Sequence, residues 1–273
     1  MDRIQLHNGV EMPQEGFGVF QVPESVCKEV VLNAIRAGYR LIDTASSYKN
    51  EEAVGSAIRE AVLEGTVTRE ELFITTKAYI QEMGYDNLKE AFARSLSKLG
   101  LDYLDLYLVH MPLGDYYGAW RAMEELYKEG KIRAIGVCNF DAARLMDLCY
   151  NVDIRPMVNQ IERHPHYQRH EELSVMHKLG VQPEGWAPFA EGMKGMFTEP
   201  VLREIAAELA AGNIAADPFW RDGEHNACRW CDYRAACHFE PEQGDSVRYR
   251  RKLEGKEFWS WLDRKEGGEE DGH

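Results

Sequence analysis

The chain contains no uninterrupted apolar run approaching the roughly 18 residues that a membrane-spanning helix needs. No basic-then-apolar leader precedes Ile4, so the expectation is a cytoplasmic protein. Basic charge is scarce: 32 Lys and Arg stand against 46 Asp and Glu, a formal net charge of -14. A surface of that sign repels nucleic-acid phosphates, which argues against nucleic acid as the main partner. The sequence also lacks the cysteine density of a disulfide scaffold. Of six cysteines, Cys27, Cys138 and Cys149 are scattered, and Cys228, Cys231 and Cys237 cluster. No glycine-rich phosphate fingerprint follows the first predicted strand, which counts against a dinucleotide-binding doubly wound sheet.

What is present is an alternation of strand and helix patterns. Residues 4–12 alternate polar and apolar around Asn8-Gly9, a hairpin signal. Strands are expected at 16–20, 39–43, 72–76, 103–109, 132–137, 157–161 and 181–187, the last interrupted by Pro183. Helices are expected at 24–37, 51–64, 87–99, 117–129, 142–150 and 170–179, several closed by glycine. The 103–109 strand is nearly continuous in apolar residues, with Asp105 its only charge. Such strands belong to a parallel sheet covered on both faces. Seven strands and six helices joined by long crossovers predict an α/β fold of the TIM type, a (β/α)8 barrel that is incomplete because an eighth strand is not evident.

A further helix is expected at 198–211, with Thr198 as its N-cap, and a short one at 255–262. The expected organisation is a barrel over 1–205, a cysteine-containing tail over 206–262 and a disordered acidic end over 263–273.

Polar residues mark the strand ends. Asp43 ends the second strand, Tyr48 follows in the next loop, Lys77 ends the third strand and His110 the fourth. In a barrel these positions converge over one mouth. A tyrosine has an ordinary pKa of about 10. A neighbouring ammonium favours its phenolate, a carboxylate can hold that ammonium, and an imidazole can hydrogen-bond a substrate carbonyl. The set could protonate an oxygen while hydride arrives at carbon.

These residues sit in motifs that resemble the aldo-keto reductases. The stretches are LIDTASSYKNEEAVG at 41–55, FITTK at 73–77, DLYLVHMP at 105–112, IRAIGVCNF at 132–140, VNQIERHP at 158–165 and GWAPFAEG at 185–192. They look closest to short-loop bacterial members that reduce small carbonyl compounds. The resemblance implies that Tyr48 is the general acid, that Asp43 and Lys77 tune it, and that His110 orients the carbonyl. It implies NADPH as cofactor, with Asn139 and Gln160 on the nicotinamide carboxamide, Trp186 stacked on its ring, and Cys138 where serine is common. Phe20 would line the substrate side, while Glu162 and His164 would support the sixth strand. Family members continue through an eighth strand carrying the grip on the adenosine, and no such stretch is visible after Leu209. A barrel of this kind would carry unpaired edge strands, which favours self-association.

The tail has its own resemblance. GNIAADPFWRDGEHNACRWCDYRAACHFEP at 212–241, with RYRRKL at 248–253, looks like the end of the B subunit of the AddAB helicase-nuclease. By that resemblance Cys228, Cys231 and Cys237 would be three ligands of a 4Fe-4S cluster whose fourth cysteine lies upstream in that family. A structural zinc or cubane site normally takes four ligands. Three readings follow: an NADPH-dependent reductase of small aldehydes or ketones, an iron-sulfur and DNA-associated module, or a chimeric product without integrated function.

Overall fold

In the computed structural model, residues 2–192, 195–200, 203, 204, 207, 219, 220, 248 and 249 are described. The chain divides into two units, Met1–Met196 and Phe197–His273.

The first unit opens with a hairpin, β1 (Arg3–Gln5) and β2 (Glu11–Pro13), paired antiparallel. Asn8-Gly9 makes the turn as its composition predicts. Gly9 takes a φ of 86°, and Asn8 Oδ1 accepts from Val10 N at 3.2 Å. Asn8 Nδ2 also donates to the Arg133 carbonyl at 3.0 Å, which ties the hairpin to the start of the barrel strand that contains Arg133.

Seven parallel strands then form one sheet in chain order: β3 (Gly16–Gly18), β4 (Leu41–Asp43), β5 (Phe73–Ala78), β6 (Leu104–Val109), β7 (Ile132–Cys138), β8 (Val158–Glu162) and β9 (Gln182–Trp186). Between them run α1 (Glu24–Arg36), α2 (Glu51–Leu63), α3 (Tyr85–Leu99), α4 (Tyr116–Lys128), α5 (Ala142–Asn151) and α6 (His170–Leu179). This is the incomplete, nearly closed barrel expected from the sequence, a (β/α)8-type fold short of one strand. Among the described residues, β3 and β9 are each paired on one side only.

The hairpin, seven strands and six helices predicted over residues 4–187 are all present, with ends displaced by a few residues. Pro183 does not break the last strand. Gln182 N–H bonds the Met157 carbonyl at 2.9 Å, so the next backbone nitrogen faces away from β8. There the missing N–H of proline removes no ladder bond. Thr198 closes a 3-10 turn, Met196–Thr198, whereas the sequence pattern makes it a helix cap; positions 200, 203, 204 and 207 are helical.

β5 and β6 are buried along their whole length. Their outer faces pack under the helices with Trp120, Tyr107 and Phe73 among the largest fully buried side chains. Helices α2 and α3 approach closely because Gly55 has no Cβ; one built there would collide with the backbone of Leu99. The single charge in β6 is fully satisfied. Asp105 is completely buried, receives Arg69 Nη2 at 2.7 Å and Arg133 Nη1 at 2.6 Å, and accepts from Ile74 N–H at 2.9 Å. A carboxylate taken out of water needs such pairing on both oxygens.

In the second unit, β10 (Phe219–Trp220) pairs in parallel with β11 (Arg248–Tyr249). Cys228, Cys231 and Cys237 lie outside the described residues, as does most of the expected 198–211 helix and all of the expected 255–262 one.

Candidate active site

The ends of β4, β5 and β6 carry Asp43, Lys77 and His110 to one end of the sheet. Register explains why they meet. Asp43 pairs with Thr75, which puts Lys77 two residues further along β5, and His110 N–H bonds the Ala78 carbonyl just past β6 at 2.9 Å. Tyr48 arrives from a 3-10 turn, Ser46–Tyr48. That turn is pinned by Asn50, which is buried. Asn50 Nδ2 donates to the carbonyls of Val19 and Val22 at 2.9 and 3.2 Å, and Oδ1 accepts from Thr44 Oγ1 at 2.8 Å. Beside it Glu51 accepts from Thr76 Oγ1 at 2.8 Å. These supporting residues sit in the same motif stretch as Tyr48, although spacing alone gives them no role.

Lys77 is the centre of the cluster. Its ammonium is wholly buried and has three hydrogen-bond partners: the Asp43 carboxylate, the Thr44 carbonyl at 3.2 Å and the Tyr48 hydroxyl at 3.4 Å. That matches the three donors of an ammonium group. Burial is the largest single effect and works against the charge on Lys77, but the Asp43 carboxylate, together with Tyr48 and Cys138, more than offsets it and holds the pKa above the usual lysine range.

The tyrosine differs from the sequence expectation. Lys77 does favour the phenolate, but burial is the larger effect and Asp43 opposes the phenolate as well. The Tyr48 pKa is pushed up to about 12. The hydroxyl therefore keeps its proton at neutral pH and is an acid in reserve. His110 is driven the other way, down to about 4, by burial and then by the Lys77 charge. It is a neutral imidazole at neutral pH, able to donate a hydrogen bond without carrying a charge. Its ring lies edge-on to Tyr48, with centroids 5.7 Å apart, and to Tyr79, at 5.3 Å. Ser47 Oγ is 3.5 Å from His110 Nδ1. Phe20 packs on Tyr48, with centroids at 5.0 Å, and is otherwise exposed. Tyr79 and Ser47 are wall residues that the strand-end pattern does not single out.

A second row crosses the neighbouring strands. Cys138, Gln160 and Glu184 stand directly opposite one another on β7, β8 and β9. Gln160 Nε2 donates to Asp43 Oδ2 at 2.9 Å, linking this row to the first. Among the described residues, Gln160 Oε1 accepts only from the Cys138 thiol, with sulfur at 3.7 Å. Burial raises the Cys138 pKa, so the thiol stays neutral. Asn139 takes a left-handed φ of 64°. Its Nδ2 donates to the His110 carbonyl at 3.1 Å, and its Oδ1 accepts from Trp186 Nε1 at 3.0 Å. Asp43, Tyr48, Lys77, His110, Cys138, Asn139, Gln160 and Trp186 are thus joined in one connected set, with Phe20 at its exposed side.

Glu162 and His164 lie at the end of β8, with His164 Nε2 3.2 Å from Glu162 Oε1. Among the described residues no group of three or more His, Cys, Asp or Glu side chains is arranged to hold a metal ion. No helix there is long and apolar enough to cross a membrane.

Comparison with known proteins gives the arrangement its context. The sequence profile described as "Aldo/keto reductase family" matches residues 16–208. The chain is 51% identical over 206 residues to the uncharacterized oxidoreductase YtbE of Bacillus subtilis, covering 75% of this chain and 73% of that protein. It is 49% identical over 207 residues to the glyoxal reductase of the same organism, with the same coverage. The crystal structure of a Bombyx mori aldo-keto reductase in complex with NADP superposes with a TM-score of 0.72 at 36% identity, over 77% of this chain and 76% of that one. The strand-end cluster, the barrel beneath it and these matches together place the protein: it belongs to the aldo/keto reductase family.

Proposed function

We propose that this oxidoreductase uses NADPH to reduce small aldehydes or ketones, with Tyr48 as the proton donor. One observation carries the reading. A fully buried lysine is hydrogen-bonded at once to a carboxylate and to a tyrosine hydroxyl, beside a histidine held neutral. An ammonium next to a phenol stabilises negative charge at the moment the proton leaves. Asp43 keeps that ammonium charged and in place. The neutral His110 can donate to the carbonyl oxygen and orient it toward Tyr48.

The residues present fit a nicotinamide. Gln160 Oε1 is a strong acceptor that, among the described residues, holds only a weak thiol donor, which suits the N–H of a carboxamide. Asn139 offers a second carboxamide next to it, and Trp186 an aromatic face. When bound, NADPH supplies hydride to the carbonyl carbon. This chain's own residues supply the proton from Tyr48 Oη and hold the substrate oxygen.

The relatives support a small substrate. They include a glyoxal reductase and, at 44% identity, a methylglyoxal reductase of Escherichia coli. The wall formed by Phe20, Tyr79 and His110 is aromatic and suits a short, weakly polar molecule. The test is loss of NADPH absorbance on incubation with glyoxal, methylglyoxal and simple aldehydes. Turnover by the wild type that disappears in Tyr48→Phe supports the reading. Absence of turnover by folded wild-type protein across the panel refutes it.

A further inference from the structure

Glu184 has no part in the proton transfer described above, yet its position is unusual. It lies on β9, at the register position opposite Gln160. The residue as a whole is partly buried, but its Oε2 atom is shut off from solvent and, among the described residues, makes no hydrogen bond. A carboxylate oxygen left this way is far costlier as an ion than as a protonated acid. The groups facing it across the barrel are Asp43 on β4, Lys77 on β5, Cys138 on β7 and Gln160 on β8. Gln160 is the bridge, since its amide also binds Asp43 Oδ2.

We propose that Glu184 is a positioning residue of the Tyr48 site, whose carboxyl, facing Gln160, sets the charge that Asp43 and Lys77 present to the Tyr48 hydroxyl. The proposal deepens the reductase reading and rests on it.

With Glu184 neutral, one carboxylate and one ammonium balance, and the ammonium is free to stabilise charge developing on Tyr48 Oη. With Glu184 ionised, two carboxylates share Lys77, and a third negative charge on Tyr48 is opposed by both. Reduction then slows. Burial, and after it the Asp43 charge, raises the Glu184 pKa to about 7, with Lys77 and Gln160 pulling the other way. The switch therefore falls in the neutral range. The other groups of the cluster titrate far from it: His110 near 4 and Tyr48 near 12, with Lys77 and Cys138 displaced upward.

The experiment measures kcat for NADPH-dependent reduction across the pH range in wild type and Glu184→Gln, the neutral isostere. Alongside it, infrared spectroscopy follows the carbonyl stretch of a protonated carboxylic acid. Wild type is expected to lose rate on an alkaline limb near neutrality. Glu184→Gln is expected to flatten that limb, so that the ratio of the two rates grows by up to about tenfold per pH unit above it. The protonated-acid band should persist at about pH 6, where ordinary glutamates are ionised, and vanish by about pH 8. It should be missing in the variant. A side chain that merely filled space would change the rate equally at every pH. Superimposable pH profiles of active enzymes overturn the proposal, and so does absence of the band in wild type, which needs no variant to fold. An inactive wild type that retains the band refutes the reductase reading while leaving Glu184 protonated where the geometry places it.

Discussion

Replacing Lys77 with methionine separates the electrostatic role of the lysine from its bulk, because the two side chains are similar in length. The Lys77 ammonium is 3.4 Å from Tyr48 Oη. For unit charges at that distance and an effective dielectric constant of about 20, Coulomb's law gives about 5 kcal/mol between the ammonium and a full phenolate. In a transition state where roughly half the charge has developed, about 2.5 kcal/mol is at stake, equivalent to a fall of nearly two decades in rate. Full proton transfer would raise that to about three and a half decades. The expected result for Lys77→Met is therefore a kcat reduced by about two to three and a half decades, with NADPH affinity changed far less. The variant also leaves Asp43 facing a buried apolar chain, which costs about 3–5 kcal/mol of stability when one partner of a buried pair is removed. Thermal unfolding must therefore be measured beside the kinetics. The double variant Lys77→Met with Asp43→Asn restores charge balance and should recover stability without recovering rate. A Lys77→Met enzyme that folds and retains kcat within severalfold of wild type would refute the argument that this ammonium stabilises charge on Tyr48.

Tyr48→Phe removes the proton donor while keeping the ring that packs on Phe20. Its kcat should fall by about 10²- to 10⁴-fold, with NADPH binding, followed by quenching of protein fluorescence, retained. The native pKa of His110, about 4, lies below its ordinary 6.5. Between those values the unfolded chain binds a proton that the folded chain does not, so stability falls as pH drops through this window and loses nothing further below it. The contribution is at most about 3 kcal/mol, and chemical denaturation of His110→Gln against wild type at pH values spanning the window should show a shallower acid loss. Asp105→Asn leaves Arg69 and Arg133 converging on a neutral group. It should lower stability by about 3 kcal/mol by denaturant titration without changing the pH profile of reduction.

Much of this architecture could be read directly from the chain. Helical periodicity closed by Gly100, and the apolar stretch 104–109, locate α3 and β6 because each signal is local. The strand-end residues Asp43, Lys77 and His110 could be found for the same reason, since strand direction decides which end of the sheet they reach. What escaped local reading depends on register and burial. The sign of the Tyr48 pKa shift is one case: the lysine is visible in sequence, but the burial that outweighs it is not. Glu184 is another. Pro183 makes its segment look like a weak strand, and a glutamate beside a proline reads as solvent-facing until the pairing with Gln160 turns it inward. Asn50 and Tyr79 are of the same kind, for their partners lie on other loops. The cysteine cluster and most of the predicted C-terminal helices fall outside the described residues.

The distribution of the site over the sheet bears on how the protein fails. Asp43, Lys77 and His110 are carried by β4, β5 and β6, each of which is paired on both sides. Gln160 is on β8, also paired on both sides, but Glu184 and Trp186 ride on β9, which among the described residues is bonded only to β8. Strands held by one neighbour open more readily than strands held by two. The proton-transfer group therefore sits on the stable part of the barrel, as does Gln160, while the Trp186 face of the proposed cofactor platform lies on its less constrained margin. Trp186 Nε1 bonds Asn139 Oδ1, so motion of β9 would also disturb a residue on the β7 side of the site. Hydrogen exchange should accordingly show β9 amides exchanging faster than those of β5 and β6, and NADPH should protect β9 most. Uniform protection across the seven strands would mean that β9 gains support from elsewhere in the chain or from a second copy, and would remove the reason to expect cofactor binding to be the first property lost on destabilisation.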